Sequence, residues 1–242
     1  MMTQSDKAKT YSPPDDQGRR IRDRLAGKIR GRGLEIGAFT RPTRLRAAVA
    51  QAIYVDCVDA ETVRRVSPEY EDERLVAPDV LVPGETLKGI DDASQDFVIS
   101  SHVLEHMEDP LGALSEWHRV LVPGGDLFLA IPDMRFTFDR TRPRTTLAHL
   151  IQDHEDGGRG SRESHIREFG RAHHELKKEK DLRDFVKLVD ENDYKVHFHV
   201  WIPDDVLEAV RYTDTHMGLG WELDEMVEMD YEAILLLRRS AA

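Results

Sequence analysis

Glycine and acidic residues follow short apolar runs at two places where the chain is expected to leave a strand. Residues 33–39 (GLEIGAF) read as a buried strand ending in a turn, and a second strand at 52–55 ends at Asp56. In an open parallel sheet, ligands bind beyond the carboxyl ends of the strands. A glycine there lets backbone approach a ligand, and a carboxylate can accept both hydroxyls of a ribose. These positions are therefore candidates for binding a ribose-containing ligand.

A parallel sheet is needed to bring such residues together. Strands alternate with helices along the chain, which predicts a doubly wound α/β sheet of seven strands, with the last one antiparallel because a tight link at Asp230 joins the final pair. The remaining predicted strands are residues 74–81, 96–101, 127–131, 221–229 and 231–237, and the predicted helices are 43–52, 109–121 and 203–212.

Residues 133–196 do not follow this alternation. The stretch is too long for a loop without structure of its own, so we expect a helical cap inserted after the fifth strand. Five of the 11 histidines lie between His149 and His174, which suggests that this cap binds an acceptor molecule. Residues 1–17 are expected to form a flexible arm, and 18–242 a single domain.

Composition limits the partners. The net charge of −12 argues against a nucleic-acid substrate. A basic run at 19–32 carries Ile21, Leu25 and Ile29 at helical spacing, which favours a helix that packs on the sheet while its arginines are solvated. No apolar run is long enough for a membrane span, the start lacks a secretory signal, and Cys57 is the only cysteine. We therefore expect a cytoplasmic protein; its oligomeric state is open, and a homodimer is compatible with the sequence.

The motifs in order resemble class I S-adenosylmethionine-dependent methyltransferases. The resemblance rests on E-x-G at Glu35, an acidic end to the second strand, the run at 96–106 (DFVISSHVLEH) and the run at 118–125 (HRVLVPGG). It covers residues 33–131 closely and implies S-adenosylmethionine as cofactor. It implies that Glu35, Gly37 and Ala38 contact the methionine part, Asp56 the ribose, Asp79 and Val80 the adenine, and Ser101 and His102 the sulfonium side.

One departure from the family concerns the first loop. The family often has G-x-G-x-G, whereas only Gly37 remains in this chain. Phe39 would then narrow the pocket, and Thr40 or Arg41 would bind the cofactor carboxylate instead. For Glu105 and His106 we prefer a role in bracing the loop.

The acceptor side is predicted from two further segments. Residues 131–139 (IPDMRFTFD) and 197–203 (HFHVWIP) resemble a bacterial subgroup associated with sugar and polysaccharide pathways. If residues 195–201 are extended, His197 and His199 share one face. A sugar hydroxyl needs a base to remove its proton, and histidine is the natural one, with an unperturbed pKa near ~6.5. His199 and His197 are our first choices.

Other residues are assigned supporting roles. Asp133 would orient the base, bind acceptor hydroxyls or ligate a divalent cation, so a magnesium site is a separate hypothesis. The remaining predicted acceptor-binding residues are Arg135, His154, His173 and His174.

The leading prediction is therefore O-methylation of a sugar or polysaccharide precursor, such as a mannose-containing glycan. The nearest alternative is methylation of an amine or another small metabolite. A nicotinamide-dependent oxidoreductase would normally need a G-x-G-x-x-G turn that this chain lacks. A cofactor-binding protein without turnover is the third alternative.

Overall fold

The computed structural model describes residues 16–66 and 70–241. Seven strands and seven α-helices make up the described fold, with short 3₁₀ turns between them. The strands are β1 (Gly31–Ile36), β2 (Ala50–Asp56), β3 (Val80–Leu81), β4 (Gln95–Ser101), β5 (Leu121–Pro132), β6 (Trp221–Glu228) and β7 (Glu232–Arg239). The helices are α1 (Asp16–Ala26), α2 (Ala60–Val66), α3 (Pro110–Val120), α4 (Leu147–Asp156), α5 (Arg162–His173), α6 (Glu179–Glu191) and α7 (Pro203–Met217).

All seven strands form one sheet in the order β3-β2-β1-β4-β5-β7-β6. The strand β7 runs antiparallel to both β5 and β6, and the other recorded pairs are parallel. The predicted α/β sheet with a last antiparallel strand is confirmed. The strand order reverses between β1 and β4, so the loops after these strands meet at a crevice suited to a ligand.

Apolar side chains alternate between the two faces of the central strands. Along β5, Leu127 and Leu129 belong to the core that contains α3 and α7, whereas Phe128 and Ala130 belong to the core that contains α1. Both sets are fully buried. This two-sided burial explains why the central strands read as continuous apolar runs in the sequence.

The insertion after β5, residues 133–196, is helical as predicted. It contains α4, α5 and α6 together with two short 3₁₀ turns. Ile166, Phe169 and Val189 form part of its own small core with Phe198. Leu150 of α4 packs with Leu111 and Ala209, so this core joins the insertion to α3 and α7.

Two predicted elements are wrong. Residues 43–52 are not a helix: residues 43–46 have no regular structure, residues 47–49 form one turn, and residues 50–55 pair in register with β1. Pairing with β1 satisfies the backbone hydrogen bonds of residues 50–52, and this stabilisation outweighs the helical preference of the local sequence pattern. The predicted strand 74–81 shrinks to Val80–Leu81, an edge strand paired only with β2.

Only the first part of the basic run forms α1, which starts at Asp16, inside the predicted arm, and ends at Ala26; Lys28 follows the helix and Arg32 lies in β1. Residues 1–15 lie outside the described residues. Leu25 and Ile29 are buried as expected, but the arginines are not simply solvated: Arg24 is paired with Glu225, and Lys28 with Asp224. Within residues 16–66 and 70–241, no helix has both the length and the apolar character that a membrane span requires.

Candidate active site

The loop after β1 turns sharply at Gly37. Its φ is +64°, and a Cβ added there would lie 2.8 Å from Cγ2 of Val103. The Gly37 amide donates to the Val55 carbonyl at 2.9 Å, which holds the turn against the end of β2. A side chain at this position would be strained and would meet a neighbour, so the loop needs glycine to bring its backbone into the crevice.

Glu35 lies under this loop and is almost fully buried. One carboxylate oxygen accepts a hydrogen bond from the Thr43 amide at 2.7 Å, whereas Oε2 has no partner among the described residues. Burial raises the pKa of Glu35, opposed mainly by the hydrogen bond from Thr43. An unsatisfied buried carboxylate oxygen is costly, and a ligand that carries an ammonium group would satisfy it. Ala38, Phe39 and Thr40 follow in the same loop, half-buried.

Asp56 is the last residue of β2 and stays partly exposed. Burial raises the pKa of its carboxyl group, and hydrogen bonds from the backbone of Val58 and Cys57 oppose this shift. Asp79 precedes β3, where its carboxylate accepts from the Tyr54 amide at 2.9 Å. Val80, the next residue, pairs with Val55 in the sheet. The adenine role predicted for Asp79 and Val80 stays a prediction.

A polar cluster lies at the carboxyl end of β4. His102 has a φ of +55°, which is uncommon for a residue other than glycine, and its Nε2 lies 2.8 Å from a carboxylate oxygen of Glu232. Glu232, at the start of β7, is fully buried and is also paired with Arg22 of α1. Arg22 in turn donates to the Ser101 hydroxyl at 2.5 Å. Two sequentially distant elements, α1 and β7, thus position the loop that was predicted to face the sulfonium.

Glu105 extends this cluster towards the insertion. Its Oε1 lies 3.7 Å from Nδ1 of His102, and its carboxylate lies within 4.8 Å of ring nitrogens of His106 and His197. Neither carboxylate oxygen has a hydrogen-bond partner among the described residues. Burial raises the pKa of Glu105, while the charges of His197 and His102 oppose the rise.

His106 braces the neighbouring chain. Its Nδ1–H can donate to the Lys195 and Val196 carbonyls, each at 3.0 Å. Burial lowers its pKa to about 3, and the nearby His197 charge acts in the same direction. The imidazole is therefore neutral at physiological pH and holds residues 195–196 beside the β4 loop.

His197, which directly follows the insertion, forms a histidine–aspartate pair with Asp139 of the insertion. Its Nδ1 lies 2.7 Å from Oδ2 of Asp139, and Arg142 donates to the other carboxylate oxygen at 2.8 Å. Burial alone would raise the pKa of Asp139, but the hydrogen bonds and charges of His197 and Arg142 lower it overall. The carboxylate is therefore held ionised, which suits it to orient an imidazole and to stabilise its protonated form.

His199 does not accompany His197. Its side chain is fully buried, and it belongs with His149, Asp153 and His165 rather than with the cluster around Glu105. The expectation that the two imidazoles lie together on one face is therefore corrected, because they belong to different clusters. Their neighbours differ because residues 195–201, although they adopt no regular strand, pass between the β4 loop and the insertion helices. An acceptor cannot touch the buried His199 ring in this conformation.

Asp133 caps the turn after β5. Its carboxylate accepts from the Arg135 amide at 2.9 Å and pairs with the Arg135 guanidinium. Among the described residues, the clusters with metal-ligand spacing do not include Asp133, so the magnesium hypothesis at this residue finds no support. The Arg135 side chain is half-exposed, at 51 %, and stays available at the surface of this turn.

The other predicted acceptor residues are spread over the insertion. His154 pairs through Nδ1 with the Asp109 carboxylate at 2.9 Å. His173 lies with its ring 4.6 Å from that of Phe138, which also contacts His197 at 4.8 Å. His174 contacts Phe185 and the adjacent His173. The structure therefore brings His173 near the His197 pair and places His154 on another face.

Sequence reasoning missed Arg22, Asp139, Arg142 and Glu232 as site residues. Arg22 was taken as part of a solvated basic face, and Glu232 as part of a closing strand. One signal was present: Glu232 is an acidic residue that opens the apolar strand 233–237, where burial of a carboxylate requires partners.

Comparisons with known proteins identify a family match and similar folds. Residues 33–129 match the family described as a methyltransferase domain. No curated protein matches the sequence. The fold is similar to that of a protein from Pyrococcus horikoshii OT3, with 16% identity and a TM-score of 0.51, covering 99% of this chain and 100% of that one.

A second similar fold comes from Rhodobacter sphaeroides, provisionally described as a zinc-dependent alcohol dehydrogenase, with 16% identity, a TM-score of 0.54 and coverage of 95% and 92%. At this identity the likeness concerns the fold alone. The chain spans about half the length, 49%, of a carbon methyltransferase structure and is itself covered at 88%, with 16% identity and a TM-score of 0.46.

The matched segment runs from β1 into β5 and includes the Gly37 turn, Asp56 and the β4 loop. A domain of this kind implies S-adenosylmethionine as the methyl donor. Residues 33–129, fewer than half of the chain, therefore match a methyltransferase domain, and they lie in a seven-stranded α/β sheet.

Proposed function

We propose that this protein transfers a methyl group from S-adenosylmethionine to a hydroxyl group of a sugar or polysaccharide precursor, such as a mannose-containing glycan. The observation that carries the proposal is the His197–Asp139 pair, which lies beside buried Glu105 next to the carboxyl end of β4. The sugar class is supported by the resemblance of residues 131–139 and 197–203 to methyltransferases of sugar pathways.

The residues at the sheet edge fit the methyl donor. The unpartnered oxygen of Glu35 suits the ammonium of the amino-acid part, and the Gly37 turn leaves room for backbone contact. Asp56 at the end of β2 suits the ribose hydroxyls. Ser101 and His102 would lie on the sulfonium side. When bound, the donor supplies an electrophilic methyl group.

The histidine–aspartate pair supplies the base that a hydroxyl acceptor needs. A neutral His197 has an Nδ1–H that donates to Asp139, so its Nε2 carries the lone pair that can take the acceptor proton. The Asp139 carboxylate stabilises the imidazolium that forms, and Arg142 keeps this carboxylate ionised. Methyl transfer otherwise depends on orientation and on exclusion of water.

A small-molecule amine acceptor is the alternative. An amine needs only its neutral lone pair, so its methylation would not require His197. No described contact favours an amine over a hydroxyl, and the two acceptors are separated by experiment.

The test uses the full-length protein and its His197→Gln variant. Calorimetry with S-adenosylhomocysteine should show binding to both proteins, with dissociation constants within about threefold. Transfer of a labelled methyl group to a panel of sugars, nucleotide sugars, oligosaccharides and amines should identify a hydroxyl acceptor. On that acceptor, His197→Gln should lower kcat by about 10²-fold or more, the usual range for loss of a general base.

His216→Gln is the matched control, because this exposed histidine on α7 stacks on Tyr212 far along the chain from the cluster. It should leave kcat unchanged. Methylation confined to amines would support the alternative acceptor. Near-normal turnover in His197→Gln would place the base elsewhere, and tight binding of a dinucleotide without affinity for S-adenosylhomocysteine would refute the proposed function.

A further inference from the structure

Four metal-ligating side chains converge inside the insertion, apart from the cluster around Glu105. His149 and Asp153 come from α4, His165 from α5, and His199 from the extended segment after α6. Oδ2 of Asp153 lies 3.1 Å from Nε2 of His149, 3.7 Å from Nε2 of His165 and 3.8 Å from Nε2 of His199. The Nε2 atoms of His149 and His165 are 2.9 Å apart. Three imidazole nitrogens thus surround one carboxylate oxygen.

The spacing along the chain produces part of this arrangement. His149 and Asp153 are four residues apart on α4, so they project from the same face of the helix. Ser161, just before α5, donates its hydroxyl to Oδ1 of Asp153 at 2.5 Å and leaves Oδ2 directed at the three imidazoles. A hydrogen bond of this kind fixes a ligating carboxylate in orientation, as the outer contacts of metal sites do.

The cluster is buried without the hydrogen bonds that its polar atoms need. Asp153 and His199 are each 1% exposed, and His165 is 6% exposed. Oδ2 of Asp153 has no hydrogen bond of ordinary geometry among the described residues, and the His199 ring has only a distorted contact with the Glu108 carbonyl. A buried polar atom left without a partner lowers the stability of the folded chain, so several such atoms in one place indicate a missing partner.

The distances fit a small tetrahedral ion. Metal–nitrogen and metal–oxygen bonds of about 2.0–2.2 Å imply ligand atoms about 3.3–3.5 Å apart around a tetrahedron. The observed separations of 2.9–3.8 Å bracket that value, and all four ligand atoms lie within 4.8 Å of one another. Three imidazoles and one carboxylate suit zinc and neighbouring transition metals, whereas magnesium and calcium prefer sets made of oxygen ligands.

We propose that His149, Asp153, His165 and His199 form a closed, structural site for a divalent transition-metal ion of the zinc type. Four protein ligands complete a tetrahedron and leave no position for a substrate, which is the pattern of structural rather than catalytic sites. The His149 side chain, which is 34% exposed, marks the side from which the ion enters. This inference does not rest on the proposed function, because none of the four residues has a role in that reaction.

The site would tie the insertion to the methyltransferase domain. The His199 and Phe198 amides both donate to the Glu105 carbonyl, at 3.2 and 2.8 Å. An ion that holds the His199 ring to α4 and α5 therefore also holds the segment that carries His197 beside the β4 loop. Loss of the ion should loosen this segment and lower the stability of the folded insertion.

The test measures metal directly on untagged, full-length protein. Elemental analysis should find about one equivalent of zinc per chain. Protein stripped with a chelator should regain its thermal stability on addition of Zn²⁺, and Co²⁺ should give the intense visible absorption of a tetrahedral site. His165→Gln and Asp153→Asn, which preserve side-chain size approximately, should each reduce bound metal at least tenfold.

His154→Ala is the matched control, since His154 lies on the same helix but pairs with Asp109 instead. It should retain full metal content. Circular dichroism of each variant verifies folding, and the Co²⁺ spectrum of the unmutated protein decides the matter even where a variant unfolds. Absence of metal binding at micromolar Zn²⁺ and Co²⁺, or equal loss of metal in His154→Ala and His165→Gln, would overturn the proposal.

Discussion

His102 and Glu105 stand at the junction of the sheet edge and the insertion. His102 adopts a left-handed backbone conformation, and its ring lies between the carboxylates of Glu232 and Glu105. Residues held in sparsely populated conformations persist only where their surroundings over-determine them. Here the partners come from β7 and from the 3₁₀ turn at Leu104–His106, so both contribute to positioning the end of β4.

The lowered pKa of His106 predicts how the stability of the folded protein depends on pH. Its pKa is about 3 in the folded protein because of burial, against about 6.5 in an unfolded chain. Below pH 6.5 the unfolded chain takes up a proton that the folded chain does not, so the free energy of unfolding falls as the pH decreases towards 3. This residue contributes at most about 1.4 kcal/mol per pH unit to the slope of the free energy of unfolding against pH.

The measurement is urea unfolding between pH 5 and pH 7.5 for the unmutated protein and for His106→Asn. Asparagine can still donate to the carbonyls of residues 195–196 but does not titrate. The variant should be less dependent on pH over this range. An unchanged slope would show that other groups account for the acid destabilisation.

At the scale of elements, the turn after β1 determines how closely the backbone enters the crevice where we propose that the donor binds. Gly37 combines a positive φ with a tight contact to Val103, whereas Gly124 has a φ of +81° and no neighbour within 4 Å of an added Cβ. Gly124 lies near the start of β5, at the opposite end of the sheet from the carboxyl edge. Comparing substitutions at these two glycines therefore separates the energetic cost of backbone strain from the cost of a steric clash.

We expect Gly124→Ala to lower the free energy of unfolding by about 1–2 kcal/mol, the cost of a left-handed conformation for a residue with a side chain. Gly37→Ala should cost more and should also weaken binding of S-adenosylhomocysteine at least tenfold. Urea unfolding and calorimetry measure the two effects. Equal destabilisation and unchanged affinity in both variants would show that the Val103 contact is relieved by a small movement.

Across the whole molecule, the insertion is joined to the methyltransferase domain by a small apolar contact. Leu150 of α4 is 2% exposed and packs against Leu111 of α3 and Ala209 of α7. The insertion also has its own core, in which Phe169 and Phe198 take part. This division predicts that the insertion can open locally while the sheet stays folded.

Leu150→Ala tests this division by hydrogen exchange. Removing a buried leucine side chain costs about 2–5 kcal/mol, and we expect most of that loss to appear as faster exchange in α4 and α5. Amides of β4 and β5 should keep their protection. Leu188→Ala, at an insertion residue that is 57% exposed, serves as the control. It should leave the exchange rates of the amides in α4 and α5, and of those in β4 and β5, unchanged. Uniformly faster exchange throughout the sheet would indicate one cooperative unit instead.

The order of strands and helices, the antiparallel last strand and the loops at Gly37 and Asp56 were all predicted from local patterns. Alternating apolar runs and turn residues are properties of neighbouring positions, so the sequence by itself determined them. The prediction at 43–52 was wrong because pairing with β1, a contact between distant segments, outweighed the local pattern.

Only the tertiary structure decided which side chains meet. Arg22 and Glu232 are 210 positions apart, and His197 and His199 join different clusters although one residue separates them. Such side-chain contacts depend on strand register and helix docking, which bring together groups from distant parts of the chain. The sequence by itself indicated candidate donor-binding residues at the sheet edge, whereas the folded chain decided that His197 lies beside Glu105 and that His199 is buried among potential metal ligands.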